Sequence, residues 1–269
     1  MSALTRLLLV LLVCFYHYGT SAQHIAFRNY LNEEGSSGSI IYHVFHDSKG
    51  FTWFGTELGV IRFDGKNYLK LTISDGLSDN EVLKIQEDSK GRIWFLTFNG
   101  RFSYYYHGKI FNEGNNPVLR KAGALPTLNS CYEDKSGNLW FSGYNNQVVK
   151  ITPTNQVQKF SFGNHKETPE VGKGAFFYED KSGHLLMVSE KNFYRFNSNY
   201  NSKPLSYPYK VKGAKAYFSN KNDYLLFLAE EGLVEMQDTV QRLLIPTKKL
   251  PVPNQIRSLF VDKKSEPLV

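Results

Sequence analysis

The residues best equipped for chemistry are seven histidines, a recurring aspartate and a few adjacent carboxylates. His43 and His46 stand three apart on an extended stretch, so they point to opposite faces and make a poor metal pair. His17 lies in the N-terminal leader, and His107, His165 and His184 fall in separate loops or turns without ligand spacing. Asp47, Asp88, Asp134 and Asp180 open Asp-Ser-Lys-Gly or Asp-Lys-Ser-Gly turns that superficially look like calcium loops. Each offers one carboxylate beside a lysine, whereas a hard cation gathers several oxygen ligands. Glu33-Glu34 and Glu230-Glu231 are neighbours in sequence, as solvated surface residues often are. No nucleophile elbow, phosphate loop or zinc motif is present. No residue carries a catalytic, cofactor-binding or metal-binding signature, and the ligand-binding residues are unknown. No enzyme is expected in this chain and no cofactor.

The aspartates belong to an internal repeat. DSKGFTWFGTELGVIRF from Asp47 recurs as DSKGRIWFLTFNGRFSY from Asp88, DKSGNLWFSGYNNQVVK from Asp134 and DKSGHLLMVSEKNFYRF from Asp180. Degraded copies begin at Asn220 and Asp262, and the spacings are 41, 46, 46, 40 and 42 residues. That period belongs to propeller blades of four short strands. In each copy the aspartate opens a tight turn by accepting from backbone N–H groups. Three residues on, Gly50, Gly91, Gly137 and Gly183 supply the left-handed conformation that a hairpin needs. Three residues before the turn, Val44, Ile85, Cys131, Phe177, Tyr217 and Leu259 mark a face buried between blades. Cys131 therefore reads as a small core hydrophobe. Six residues after it, Trp53, Trp94, Trp140, Leu186, Leu226 and Leu268 suit packing of blade on blade. Twelve after it, Gly59, Gly100, Asn146, Asn192 and Gly232 mark a second turn.

The fold class is thus all-β, a propeller of four-stranded antiparallel blades. About five blades are complete and a sixth begins, with repeats starting near residues 40, 81, 127, 173, 213 and 255. No capped amphipathic helix of ten or more residues is expected after the leader, and 112–126 and 197–208 read as loops. Tyr104-Tyr105-Tyr106 suits either a sugar-stacking platform or blade interfaces, with the interface reading preferred. Tyr144, Tyr200 and Tyr207, in face loops, are better candidates for exposure.

Asp75-Gly76-Leu77-Ser78-Asp79-Asn80-Glu81-Val82, leading into Asp88, Gly91, Ile93, Trp94 and Phe95, resembles the two-component regulator propeller repeat. Trp53-Phe54-Gly55-Thr56, Gly59, Phe63 and Asp64-Gly65 fit the same pattern. The resemblance runs over residues 40–269, with three good copies. Leu186 and Leu226 depart from its tryptophan, and Asp223 from its glycine. It implies an exported, ligand-sensing input domain of a membrane-bound sensor histidine kinase in the Gram-negative envelope, whose ligands include polysaccharide fragments. It also implies a dimeric parent with downstream membrane and kinase modules, and a chain that stops at Val269, early in a sixth blade, reads as truncated from that longer phosphorelay protein. Scattered rather than striped Lys and Arg argue against a nucleic-acid partner for this domain.

The N-terminus agrees with export. Arg6, the apolar run Leu7 to Tyr16 and the small residues Thr20-Ser21-Ala22 make residues 1–22 a signal peptide, leaving 23–269 as the sensor propeller. Ten helical residues rise only about 15 Å, short of a hydrocarbon core of about 30 Å. A lipoprotein reading on Cys14 is the alternative, although Val13 stands where a small residue is wanted. With Cys131 alone beyond the leader no internal disulfide forms, so packing must stabilise the fold. The net charge of +7 fits an anionic ligand or, more simply, a soluble mixed surface. A free-standing secreted carbohydrate-binding or scaffold propeller is the alternative function. A propeller glycosidase or lyase ranks lower, because no carboxylate is placed on the central channel.

Overall fold

The computed structural model describes residues 40–144, 147–161, 176–180, 182–188, 193–196, 202–205, 208–209, 216–219, 224–237, 240–250, 260–261 and 267–268. All lie in the compact unit Gly38–Val269. The leader at 1–22, Cys14, Glu33-Glu34, Tyr200, Tyr207 and the repeat positions Asn146, Asn192, Asn220 and Asp262 fall outside them.

Five successive four-stranded antiparallel sheets follow the repeat. Blade 1 holds β1 (Ile41–His46), β2 (Thr52–Thr56), β3 (Gly59–Phe63) and β4 (Tyr68–Leu71). Blade 2 holds β5 (Val82–Glu87), β6 (Ile93–Thr97), β7 (Ser103–Tyr106) and β8 (Lys109–Phe111). Blade 3 holds β9 (Leu128–Glu133), β10 (Leu139–Gly143), β11 (Gln147–Ile151) and β12 (Val157–Ser161). Blade 4 holds β13 (Phe176–Glu179), β14 (Leu185–Val188), β15 (Phe193–Phe196) and β16 (Ser202–Leu205). Blade 5 holds β17 (Ala216–Ser219), β18 (Tyr224–Leu228), β19 (Gly232–Gln237) and β20 (Val240–Pro246), and β21 (Phe260–Val261) pairs with β22 (Pro267–Leu268). In blades 1–5 each strand pairs with its neighbour in sequence. The first strands of blades 1–4 stand next to one another. They are the inner strands.

The core lies in the seams between blades. Trp53 packs with Val82, Ile85 and Phe95 of blade 2, and Trp94 with Leu128, Cys131 and Phe141 of blade 3. Trp140 meets Phe177 and Met187 of blade 4, and Leu186 meets Leu225 and Phe227 of blade 5. In blades 1–4 the large apolar residue six after the turn therefore fills the seam toward the following blade, where one such side chain contributes a few kcal/mol.

Two segments read as loops contain elements. Within 112–126 lies α1 (Pro117–Ala122), its N-cap Asn116 accepting from Val118 and Leu119 N–H, with Leu119 and Ala122 buried in the seam between blades 2 and 3. Six residues are too few to show a helical period. Within 197–208 lies β16, where Pro204 sits on an outer strand that needs no second ladder partner.

The face three residues before the turn is buried at Ile85 (1% exposed), Cys131 (6%) and Phe177 (3%). Val44 corrects the expectation at blade 1, where it is 55% exposed, beside Ile40 at 56% and Tyr42 at 39%. The preceding-blade partner that covers the other copies is absent from this face among the described residues. Apolar patches of this kind drive association. The purified chain is expected to self-associate, and Val44→Lys to shift it toward monomer in sedimentation velocity. A wild-type chain that sediments as a monomer would refute this.

Candidate functional site

The repeated aspartates are structural. Asp88 Oδ1 accepts from Lys90 and Arg92 N–H at 3.0 Å each, while Oδ2 accepts from Arg92 Nε at 2.6 Å and Trp94 Nε1 at 2.7 Å. Asp47 holds Trp53 Nε1 at 2.7 Å and Asp134 holds Trp140 Nε1 at 2.8 Å in the same way. One carboxylate thus closes the turn and anchors the indole that fills the seam. Blade 4 lacks the indole. There His184 Nδ1 lies 3.2 Å from Asp180 Oδ2 and 2.5 Å from an Arg195 nitrogen, and that ring nitrogen can donate to the carboxylate or accept from the guanidinium, but not both.

A second carboxylate joins neighbouring blades. Glu87 accepts from Ser48 N–H at 2.7 Å and Ser48 Oγ at 2.6 Å, and Glu133 accepts from Ser89 N–H and Oγ at 2.6 Å each. Glu179 accepts from Lys135 N–H at 2.8 Å. The sequence reading missed these glutamates, although the Glu-Asp pair recurs at 87–88, 133–134 and 179–180. The recurrence was the available signal.

The motif at residues 75–82 is likewise spent on architecture. Asp75 Oδ2 accepts from Thr72 N–H and Oγ1, Leu77 is buried, and Ser78 Oγ donates to Arg101 O. Asp79 Oδ2 accepts from Asn99 N–H, and Asn80 Oδ1 from Ile73 N–H. These contacts fix the crossover from blade 1 to blade 2. In the tyrosine run, Tyr104 is buried against Trp94 and stacked on Phe111. Tyr105 meets Trp53 edge-on and accepts from Arg62. Tyr106 abuts His107.

Glu230 and Glu231 are exposed on a turn. Tyr144 is half-buried and occupies the place ten residues after its aspartate, where blade 2 has Phe98. Phe98 is 54% exposed. The two flank one connection, for Thr127 Oγ1 donates to Phe98 O and Tyr144 N–H donates to Pro126 O. Thr127 has a φ of 52°, uncommon for a threonine. The sequence reading named Tyr144 for this face and overlooked Phe98.

Below this face, four residues before each aspartate, the inner strands carry His43, Lys84 and Ser130. His43 Nδ1 accepts from Ile85 N–H at 3.3 Å. Burial, aided by the Lys84 charge, pulls the His43 pKa down to about 4, so the ring is neutral at pH 7. Burial also holds Lys84 below the ordinary lysine range and pushes the Cys131 thiol upward. His46 is exposed on the other side of β1, its Nδ1 3.3 Å from Thr52 Oγ1, as expected for residues on opposite faces. Among the described residues no cluster of three or more His, Cys, Asp and Glu forms a metal site.

This architecture is a β-propeller, and solved structures share it. The virginiamycin B lyase of Staphylococcus aureus matches with a TM-score of 0.59 at 18% identity, over 86% of this chain and 76% of that one. The extracellular domain of a protein described as a hybrid two component system, BT3049 from B. thetaiotaomicron, gives 0.58 at 18% identity, over 80% of this chain and 30% of that one. A chain of the mitotic checkpoint complex gives 0.57 at 11% identity, over 84% and 70%. A lyase, a sensor domain and a checkpoint protein on one fold show that the fold alone assigns no activity. Residues 76–99 match the two component regulator propeller family, so this blade carries that family's repeat. No curated protein matches the chain.

Proposed function

We propose that this chain is the exported, ligand-sensing input domain of a two-component sensor histidine kinase, facing the periplasm, and that its ligand is an oligosaccharide. The family match at 76–99 supports the sensor class. The observation that carries the ligand class is the pair Phe98 and Tyr144, at one repeat position on adjacent blades, with Phe98 54% exposed. An aromatic ring presented to solvent suits the apolar face of a sugar, and few polar groups are then needed for orientation. Signalling follows from differential affinity. A ligand that binds one arrangement of the dimeric parent more tightly shifts the two-state equilibrium by that difference and no more.

The test is isothermal titration of the purified chain against a panel of plant, fungal and host oligosaccharides. Binding by at least one is expected, with Phe98→Ala raising its Kd about tenfold, equivalent to about 1.4 kcal/mol. No binder, or an unchanged Kd in the variant, would refute the reading. Sequence downstream of the Val269 codon tests the kinase linkage separately, since an open frame through a membrane span and a kinase core is expected.

A further inference from the structure

β5 is the inner strand of blade 2 and pairs with β6 alone, so the amides on its free edge must find acceptors elsewhere. The Ile85 amide finds one on the neighbouring blade, where His43 Nδ1 accepts from it at 3.3 Å. That bond joins the inner strands of blades 1 and 2 beside the seam that Trp53 and the Ile85 side chain fill. An imidazole nitrogen accepts only while it carries no proton, whereas an imidazolium has donors at both nitrogens. Protonated His43 would therefore set an N–H against the N–H of Ile85. The strands packed against β1 are β2 and β5. β2 has no titratable side chain. On β5, Glu87 is engaged by Ser48, and Glu81, just before the strand, accepts from the Tyr42 hydroxyl. On β1 itself, Tyr42 and His46 lie on the opposite face. Lys84 remains, and its positive charge opposes protonation of the His43 ring.

We infer that His43 is an acid-released latch: the neutral ring ties the inner strand of blade 1 to that of blade 2, and protonation frees this junction. With the junction closed, burial and the Lys84 charge hold the ring at about 4, against an ordinary value of 6.5 once it meets water. Between those values the open form takes up a proton that the closed form refuses. The latch therefore acts in full above about pH 6.5, weakens about tenfold per pH unit below it, and is lost by about pH 4. The junction also borders the exposed aromatic ring, because Glu81 O accepts from Phe98 N–H while Glu81 Oε1 holds the Tyr42 hydroxyl. Acid thus loosens the support of that face with no ligand bound. The latch is independent of the oligosaccharide reading.

Hydrogen exchange on the purified chain tests it, comparing the Ile85 amide with amides of blade 3 at pH 7.5 and pH 5. Protection factors are used, since they remove the intrinsic pH dependence of exchange. In wild type the Ile85 protection factor is expected to fall roughly thirtyfold across that range. His43→Gln, whose amide oxygen accepts without titrating, is expected to hold it within a factor of about two. Blade 3 is expected to keep its protection in both proteins. A fall shared by blade 3, an equal fall in the variant, or no fall in wild type would each overturn the latch. NMR titration of the His43 ring in wild type needs no variant and decides the case if His43→Gln fails to fold. A midpoint near pH 4 is expected, and one near the ordinary 6.5 would overturn the proposal.

Discussion

Asp88→Ala is expected to lower the stability of the chain by about 3–5 kcal/mol, the range for breaking a buried charged pair, measured by urea denaturation. The carboxylate is only 2% exposed and receives four hydrogen bonds, two of them from the Arg92 guanidinium and the Trp94 indole. Alanine strands all four donors. The indole suffers most, because Trp94 lies 1% exposed in the seam with blade 3, where no water replaces the lost acceptor. Asp88→Asn keeps one acceptor oxygen and the turn geometry, and is expected to cost roughly half as much. Equal losses in the two variants would show that the charge, and not the acceptor count, holds the turn. A loss below about 1 kcal/mol for alanine would refute the anchoring role, since that is the worth of a single ordinary hydrogen bond.

Gly100→Ala is the second large effect, with an expected cost of about 3 kcal/mol or more. A Cβ built there would lie 1.5 Å from Leu125 O, a backbone atom that cannot swing aside, and the residue has a φ of 75°. The same oxygen belongs to the connection that Gly100 O itself holds through Leu125 N–H at 3.0 Å. Gly50→Ala is the matched control. Its φ is 89°, yet nothing lies within 4 Å of the added carbon. It should therefore cost only the left-handed backbone penalty, about 1–2 kcal/mol. Thermal denaturation of the two variants side by side separates strain from collision, and equal losses would exclude the collision.

Blade 4 shows how the repeat decays without losing its shape. Leu186 keeps the volume that fills the seam but cannot donate to Asp180, and the His184 ring and Arg195 stand beside the carboxylate instead. Apolar size and turn conformation are the strict requirements, and the donor to the second carboxylate oxygen is exchangeable. This is why Leu186 and Leu226 were readable by register alone.

The sequence by itself determined the propeller class, the four-strand unit and the Asp-to-Gly turn that opens it, while the total number of blades was not legible in it. These depend on local chemistry repeated at a fixed period: Asp88 with Gly91, Asp134 with Gly137, and the large apolar residue three beyond each glycine. Only the tertiary structure decided which carboxylates join blades, since Ser48 with Glu87 and Ser89 with Glu133 are 39 and 44 residues apart. Exposure was equally invisible. Val44 and Ile85 occupy one repeat position, yet one is 55% exposed and the other 1%, because among the described residues only Ile85 has a preceding blade against it.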